Sequence, residues 1–476
     1  AAETAACRTA QSAWSRLSVR DRLRPVRELR YQLVERADEL FAAVQADVGR
    51  TPLEVLATEL LPTASALKFL EKEAASVLKP RNVSRWLRPT WLLGCRDVVH
   101  RRPWGVVGVI GTWNYPVYLN VGPIAAALTA GNGVIWKPSE NALRTAALTH
   151  RLFLECGFPP DLFALLPATR EAGPQVAEAE VDHVVFTGSD AVGRKLAARL
   201  GERLIPSTLE LSGCDPMFVL ADADVRRAAN AVWFGFTLNR GQTCIAVRRV
   251  FVHRSRYAEF ADALRPLVAE AKPVELLLDS QRVQAERLVN DAIERGASMI
   301  RRDPKGIVPT VLLDATADMA VCHEASFAPI TAVIPFDTID DAVSLAAKSP
   351  FGLAASVFTA DVRAEEELAY RIPAGNVVVN DTIAPTAHPA TPFGGRKASG
   401  WGVTQGAEGL LAMTVPQAVS VRRGNFRPHI DEAVSPDPEA TADILRGLLR
   451  ASHARGVRAW LGGVRQLLRG IRRKRN

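Results

Sequence analysis

Val106–Thr112 is a run of seven residues without a charge, and the pattern that follows it constrains the fold more than any average over the chain. A strand buried on both faces reads as such a continuous apolar run. Residues 117–130 then carry a helical pattern that ends at Gly131-Asn132-Gly133, and Val134–Trp136 is a second short apolar run. A helical stretch at 140–156 is stopped by Gly157-Phe158-Pro159-Pro160, and Val181–Thr187 and 190–201 repeat the alternation. Strands separated by helices predict a parallel, doubly wound α/β sheet of the Rossmann type. A second alternating region spans about 213 to 390, with strands expected at Val250–Val252, Ile330–Ile334 and Asn376–Asn380. Before the first run, residues 8–79 read as helices, because Leu23, Val26, Leu29, Leu33, Leu40 and Val44 recur at helical spacing. Residues 80–105, punctuated by Pro80, Pro89 and Pro103, read as extended.

With 476 residues the chain can bury more than one core without staples. Its six cysteines form no CxxC pair and no Cys/His metal spacing, so free thiols in a reducing compartment and no metal site are expected. The net charge of +8 misleads, because residues 446–476 hold ten Lys or Arg and no Asp or Glu. The basic excess belongs to a tail, which argues against nucleic-acid binding by the body. No window approaches the ~20 apolar residues of a spanning helix, and no secretory leader is visible. A cytoplasmic location is expected, with peripheral membrane contact through the tail as the variant.

Two residues carry the chemistry. Cys244 stands in Asn239-Arg240-Gly241-Gln242-Thr243-Cys244, a polar loop whose glycine suits a turn that presents a thiol. Glu210 stands between Leu209 and Leu211, where burial would raise its pKa towards that of a usable base. The plain alternatives are a buried structural cysteine and a strand carboxylate paired with arginine. Asn114, in Trp113-Asn114-Tyr115-Pro116, can donate to an oxyanion or cap the next helix. Lys137 and Glu140, in Trp136-Lys137-Pro138-Ser139-Glu140, stand at a strand's C-terminal end, where nucleotides bind in such sheets. Phe186-Thr187-Gly188-Ser189-Asp190-Ala191-Val192-Gly193 joins a strand to a helix with small residues that admit a pyrophosphate, though it is not GxGxxG. Phe393 opens the glycine-rich stretch Pro392–Gly400.

In this order, WNYP, KPSE, FTGSxxxG, LELSG, NxGQTC and PFGGxKxSG resemble the aldehyde dehydrogenase superfamily, over roughly residues 8–425, and are closest in kind to its class-3 and fatty-aldehyde branch. The resemblance implies a dinucleotide-binding domain (1–79 and 106–212), a catalytic domain (213–411) and a β-arm joining subunits of a homo-oligomer (80–105 and 412–424). A linker (425–445) and a basic amphipathic tail (446–476) would follow. It implies Cys244 as nucleophile, Asn114 as oxyanion donor and Glu210 as the base for the deacylating water. Lys137 and Glu140 would meet the adenosine ribose, and Thr187, Gly188, Ser189 and Gly193 the pyrophosphate. Trp113 and Phe327 would lie beside the cofactor and Phe393 beside the aldehyde. The cofactor would be NAD by preference, since Glu140 repels a 2′-phosphate, with NADP tolerated. Three departures stand out: Ala325 where a ribose-binding glutamate is usual, Cys214 after the LELSG segment, and Val403-Thr404 in place of Arg-Glu.

The activity expected is oxidation of an aldehyde to a carboxylic acid through a cysteine thioester that water hydrolyses. One rival passes the thioester to coenzyme A, against which the hydrolytic Glu210 argues; another is a non-catalytic scaffold recruited to a membrane. In the tail, Val457, Trp460, Leu461, Val464, Leu467, Leu468 and Ile471 share one helical face with arginines off it, although Gly456, Gly462, Gly463 and Gly470 weaken an isolated helix.

Overall fold

The computed structural model describes residues 2–475 apart from Leu93, 301–305, 425–426, 428–429, 431–432 and 435. The chain forms two compact units, one of residues 1–78 with 102–415 and one of 79–101 with 416–476. In the larger unit, Val106–Ile110 is the centre of a six-stranded sheet. Gly133–Lys137 and Phe163–Leu165 lie on one side, His183–Thr187 and Ser207–Glu210 on the other, all parallel. A strand whose successors go to opposite sides marks a switch point, where α/β sheets leave a crevice at their C-terminal ends. The edge is closed by the late Gly400–Trp401, antiparallel to Ser207–Glu210 with Gly400 opposite Glu210. The apolar runs are strands because both faces are covered. Val107, Val109 and Val134 pack under the N-terminal helices Ala2–Trp14, Val19–Glu35, Ala37–Val48 and Leu61–Val77. Val106, Ile110, Ile135 and Val184 pack against the helix Asp190–Glu202 through Leu196 and Leu200.

The second alternating region forms a seven-stranded sheet in the same unit. Its order is 298–300, 310–313, 330–336, 247–253, 215–219, 354–358 and 376–379, with only the first strand antiparallel. Separate cores cover its two faces.

Arg81–Asn82, Cys95–Pro103 and Thr414–Arg422 make a three-stranded sheet, most of whose residues fall in the smaller unit, and short 3₁₀ turns at Arg85–Leu87 and Thr90–Leu92 interrupt the stretch expected to be extended. The tail departs from the single helix read from its pattern. Pro438–His453 and Val457–Arg475 form a hairpin, and its first helix runs through the expected boundary at residue 445. The rest of the expected linker lies partly outside the described residues. Gly463 and Gly470 sit where an added Cβ would meet the backbone of Pro438–His453, so these glycines permit close helix packing where isolation would make them a weakness.

Candidate active site

A cavity of about 510 Å³ is lined by Asn114, Glu210, Cys244 and Phe393 together with Trp113, Thr187, Gly188, Ser189 and Phe327. Lys137, Glu140 and Gly193 are not among its lining residues. Lys137 Nζ lies 3.5 Å from Glu140 Oε2, and Arg170 Nε donates to Glu140 Oε1 at 2.9 Å. Arg170 offsets the negative charge on which the preference for NAD over NADP rested. Gly193 faces the Leu211 side chain, so close helix–strand packing already requires it.

Asn114 does not cap a helix, since Tyr118–Ala130 begins four residues later with Val117 in the cap position. Its buried Nδ2 donates to the Gln242 carbonyl at 3.0 Å, while its Oδ1 accepts from Thr112 Oγ1 at 2.8 Å. An amide carries two N–H groups, so one remains for a further acceptor. The Asn114 carbonyl accepts from Asn239 Nδ2 at 3.0 Å, which ties the donor to the cysteine loop twice.

That loop is built from consecutive left-handed residues, Asn239, Arg240 and Gly241, with φ of 50°, 58° and 76°. Such a conformation costs roughly 1–2 kcal/mol at each non-glycine residue and persists only where surroundings over-determine it. Here they do. Gly241 lies against the Ala328 backbone, leaving no room for a Cβ. Buried Arg248 donates to the Gly241 and Ala328 carbonyls. Leu277 N donates to Gln242 Oε1 at 3.0 Å.

Glu210 ends its strand between Thr187 and Gly400. Its side chain is buried, Oε2 has no hydrogen-bond partner among the described residues, and Oε1 meets Thr404 Oγ1 at 3.5 Å. Burial pushes its pKa up to about 8. Thr404 belongs to one of the three departures, so the residue out of pattern supplies the contact Glu210 has. Asp215, which sequence reasoning passed over, is a second buried carboxylate pushed up by burial to about 8. Its Oδ2 accepts from Ala354 N at 3.1 Å. A charged residue opening the otherwise apolar Asp215–Val219 strand was the signal available. Burial first, then Asp215 and Glu210, push the Cys244 thiol up to about 12, so at rest it holds its proton.

A second group was also missed. Arg50 and Glu59 form a buried ion pair at 2.9 Å. Glu59 accepts from Val117 N at 3.0 Å and Tyr118 N at 2.8 Å, at the start of the helix after Asn114. Arg50 stacks 4.7 Å from the Tyr115 ring centre, and the Tyr115 hydroxyl lies 2.7 Å from Thr243 Oγ1, beside Cys244. Glu59 sits in the π-helical turn Leu56–Leu60, a local irregularity common near functional sites.

Of the other departures, Ala325 lines the cavity, and so does neighbouring Glu324. The Glu324 carboxylate is engaged by Arg287 and, at 3.3 Å, by Gln284 Nε2. Phe327 has φ of 45° and its ring lies 6.2 Å from that of Trp113. Cys214 is buried, with its Sγ 3.5 Å from the Val321 carbonyl.

Fold and cavity together define a two-sheet α/β protein with a cysteine, a buried carboxylate and an asparagine at one site. The chain belongs to the aldehyde dehydrogenase family, whose model matches residues 1–419. It is 35% identical over 420 residues to the 4,4'-diapolycopene aldehyde oxidase of Methylomonas sp, covering 86% of this chain and 79% of that one. It is 31% identical over 441 residues to a candidate NADP(+) succinate-semialdehyde dehydrogenase of Mycolicibacterium smegmatis, covering 89% and 84%. The crystal structure of a Mycobacterium tuberculosis aldehyde dehydrogenase complexed with NAD+ superposes with a TM-score of 0.82 at 31% identity, covering 88% of this chain and 89% of that one.

Proposed function

We propose that this protein oxidises an apolar aldehyde to its carboxylic acid with NAD or NADP. The observation that carries the reading is that Cys244, Glu210 and Asn114 line one cavity with the Thr187–Ser189 turn. Cys244 sulfur attacks the aldehyde carbon as its thiol proton passes to water, and the alkoxide formed accepts a hydrogen bond from the free N–H of Asn114. NAD(P)+, when bound, supplies the acceptor for the hydride that leaves this carbon. Glu210 takes a proton from water as the water adds to the thioester; the C–S bond breaks, releasing the acid and restoring the thiol. The Thr187–Ser189 turn suits the cofactor's pyrophosphate, because it leads into the N-terminus of the 13-residue helix Asp190–Glu202. Lys137 and Glu140 would meet the ribose, Trp113 and Phe327 would flank the cofactor, and Gly193 would keep the helix near its phosphates. Phe393 would bound the aldehyde.

The class-3 and fatty-aldehyde branch fits the apolar lining, which includes Leu119, Pro123, Ala126, Leu410 and Met413. The aldehyde in the name of the Methylomonas relative agrees with an extended apolar substrate. Cys244→Ser should abolish aldehyde-dependent NAD(P)H formation, and retained turnover would overturn the reading. A strict need for coenzyme A would replace hydrolysis by acyl transfer.

The smaller unit would join copies of the chain and meet a membrane surface. Thr414–Arg422 is an exposed edge strand open to pairing with a second copy. The hairpin exposes Leu445, Leu449, Trp460, Leu461 and Leu468 among arginines, a composition suited to an anionic lipid interface. No helix among the described residues is long and apolar enough to cross a membrane. Co-sedimentation with anionic liposomes, with and without residues 430–476, tests surface binding; equal binding would discard it.

A further inference from the structure

The helix Leu61–Val77 borders two cavities. One is the active-site cavity; the other, about 470 Å³, is lined by Ser65, Lys68 and Lys72 of the same helix, and Phe69 and Pro389 line both. The helix explains the partition. At about 100° per residue, Ala66 and Leu70 fall on one strip, Ser65, Lys68 and Lys72 on the next, and Phe69 on their border. Chemical character changes across it. Inside, Ala66, Leu70 and Gly122 are apolar or small, and a Cβ on Gly122 would meet nothing within 4 Å. Outside, the lining adds the exposed polar side chains of Ser65, Lys68, Lys72 and Glu73 to Val77, Pro389, Ala390 and Ala407.

We propose that the two cavities are one channel for the chain of the aldehyde, and that Phe69 is the partition that sets the chain length accepted. The inference rests on the reading of the inner cavity as the aldehyde site. The substrate class is the linear apolar aldehyde. Each methylene buried inside the partition adds ~4-fold to binding. A chain that reaches Phe69 gains no more unless the half-buried ring turns aside, and beyond it the chain meets a rim with exposed Lys68, Lys72 and Glu73, and water.

The test is kcat/KM for linear saturated aldehydes of rising length, with Phe69→Ala and Gly122→Leu beside the wild type. The wild type should climb with length and then level off. Phe69→Ala should move the break to longer chains and raise the long-to-short ratio about tenfold, the worth of one or two methylenes. Gly122→Leu, which fills the inner cavity while favouring the helix, should move the break to shorter chains. A break that stays in place in both variants, or losses in proportion at every length, would overturn the proposal and leave the aldehyde reading standing. A wild type that turns over no aldehyde of any length would overturn both.

Discussion

Arg50 and Glu59 are held 2.9 Å apart with both side chains wholly excluded from water, and through Tyr115 and the Val117 and Tyr118 amides they grip the segment that carries Asn114. The partners are unequal. Burial pushes Glu59 up to about 7 against the pull of Arg50 and two N–H donors, so without Arg50 it can take a proton. Arginine cannot discard its charge. Glu59→Leu should therefore cost about 3–5 kcal/mol, and Arg50→Met distinctly less. Urea unfolding at pH 7.5 measures both, and an equal or reversed order would contradict this account.

Asn114 already gives one N–H to the Gln242 carbonyl at 3.0 Å, which aims the other without further reorganisation. Removing such an aimed donor typically costs ~10²–10³ in rate. Asn114→Ala should lower kcat by that factor with little change in the KM for NAD(P), read from steady-state kinetics. A loss confined to KM would place Asn114 in ground-state binding instead.

Much of the sheet and the central site was legible because both rest on local pattern. Val106–Ile110 and Gly133–Lys137 are buried on both faces, and continuous apolar runs say so. Cys244 and Glu210 sit in short, ordered motifs. What escaped depends on contacts distant in sequence. Nothing near Arg50 announces that its guanidinium stacks on Tyr115. The exchange of Arg-Glu for Val403-Thr404 is legible in sequence only as a departure, because it takes the pairing of Gly400–Trp401 with Ser207–Glu210 to bring Thr404 to Glu210. The tail glycines read as weakening the helix because a single-helix pattern contains no partner helix to pack against.

Asp215 pushes the Cys244 thiol further up after burial has raised it. Neutralising this carboxylate should ease ionisation of the thiol. Asp215→Asn should shift the pH dependence of iodoacetamide alkylation at Cys244 to lower pH, with mass spectrometry confirming the site. The side-chain amide keeps an acceptor for Ala354 N, so thermal stability should change little by comparison. An unmoved alkylation profile would show that Asp215 does not act on the thiol.

Glu210 links pH to both hydrolysis and stability. Its pKa of about 8 in the folded chain stands well above the ordinary value near 4.3. Between these values the native state keeps a proton that the unfolded chain has released. Its contribution to stability is therefore complete below about pH 4 and is lost as pH rises towards 8. Catalysis runs the other way, because only the carboxylate can take a proton from water. Thioester hydrolysis in single-turnover experiments should rise with pH through a midpoint near 8, while Glu210→Gln should be slow and flat across that range. The same variant should lose less stability than the wild type between pH 6 and pH 9 in urea titrations. Thr404→Val should move the hydrolysis midpoint upward, because the hydroxyl of Thr404 favours the ionised form. A hydrolysis limb that Glu210→Gln leaves intact would assign the base to another group.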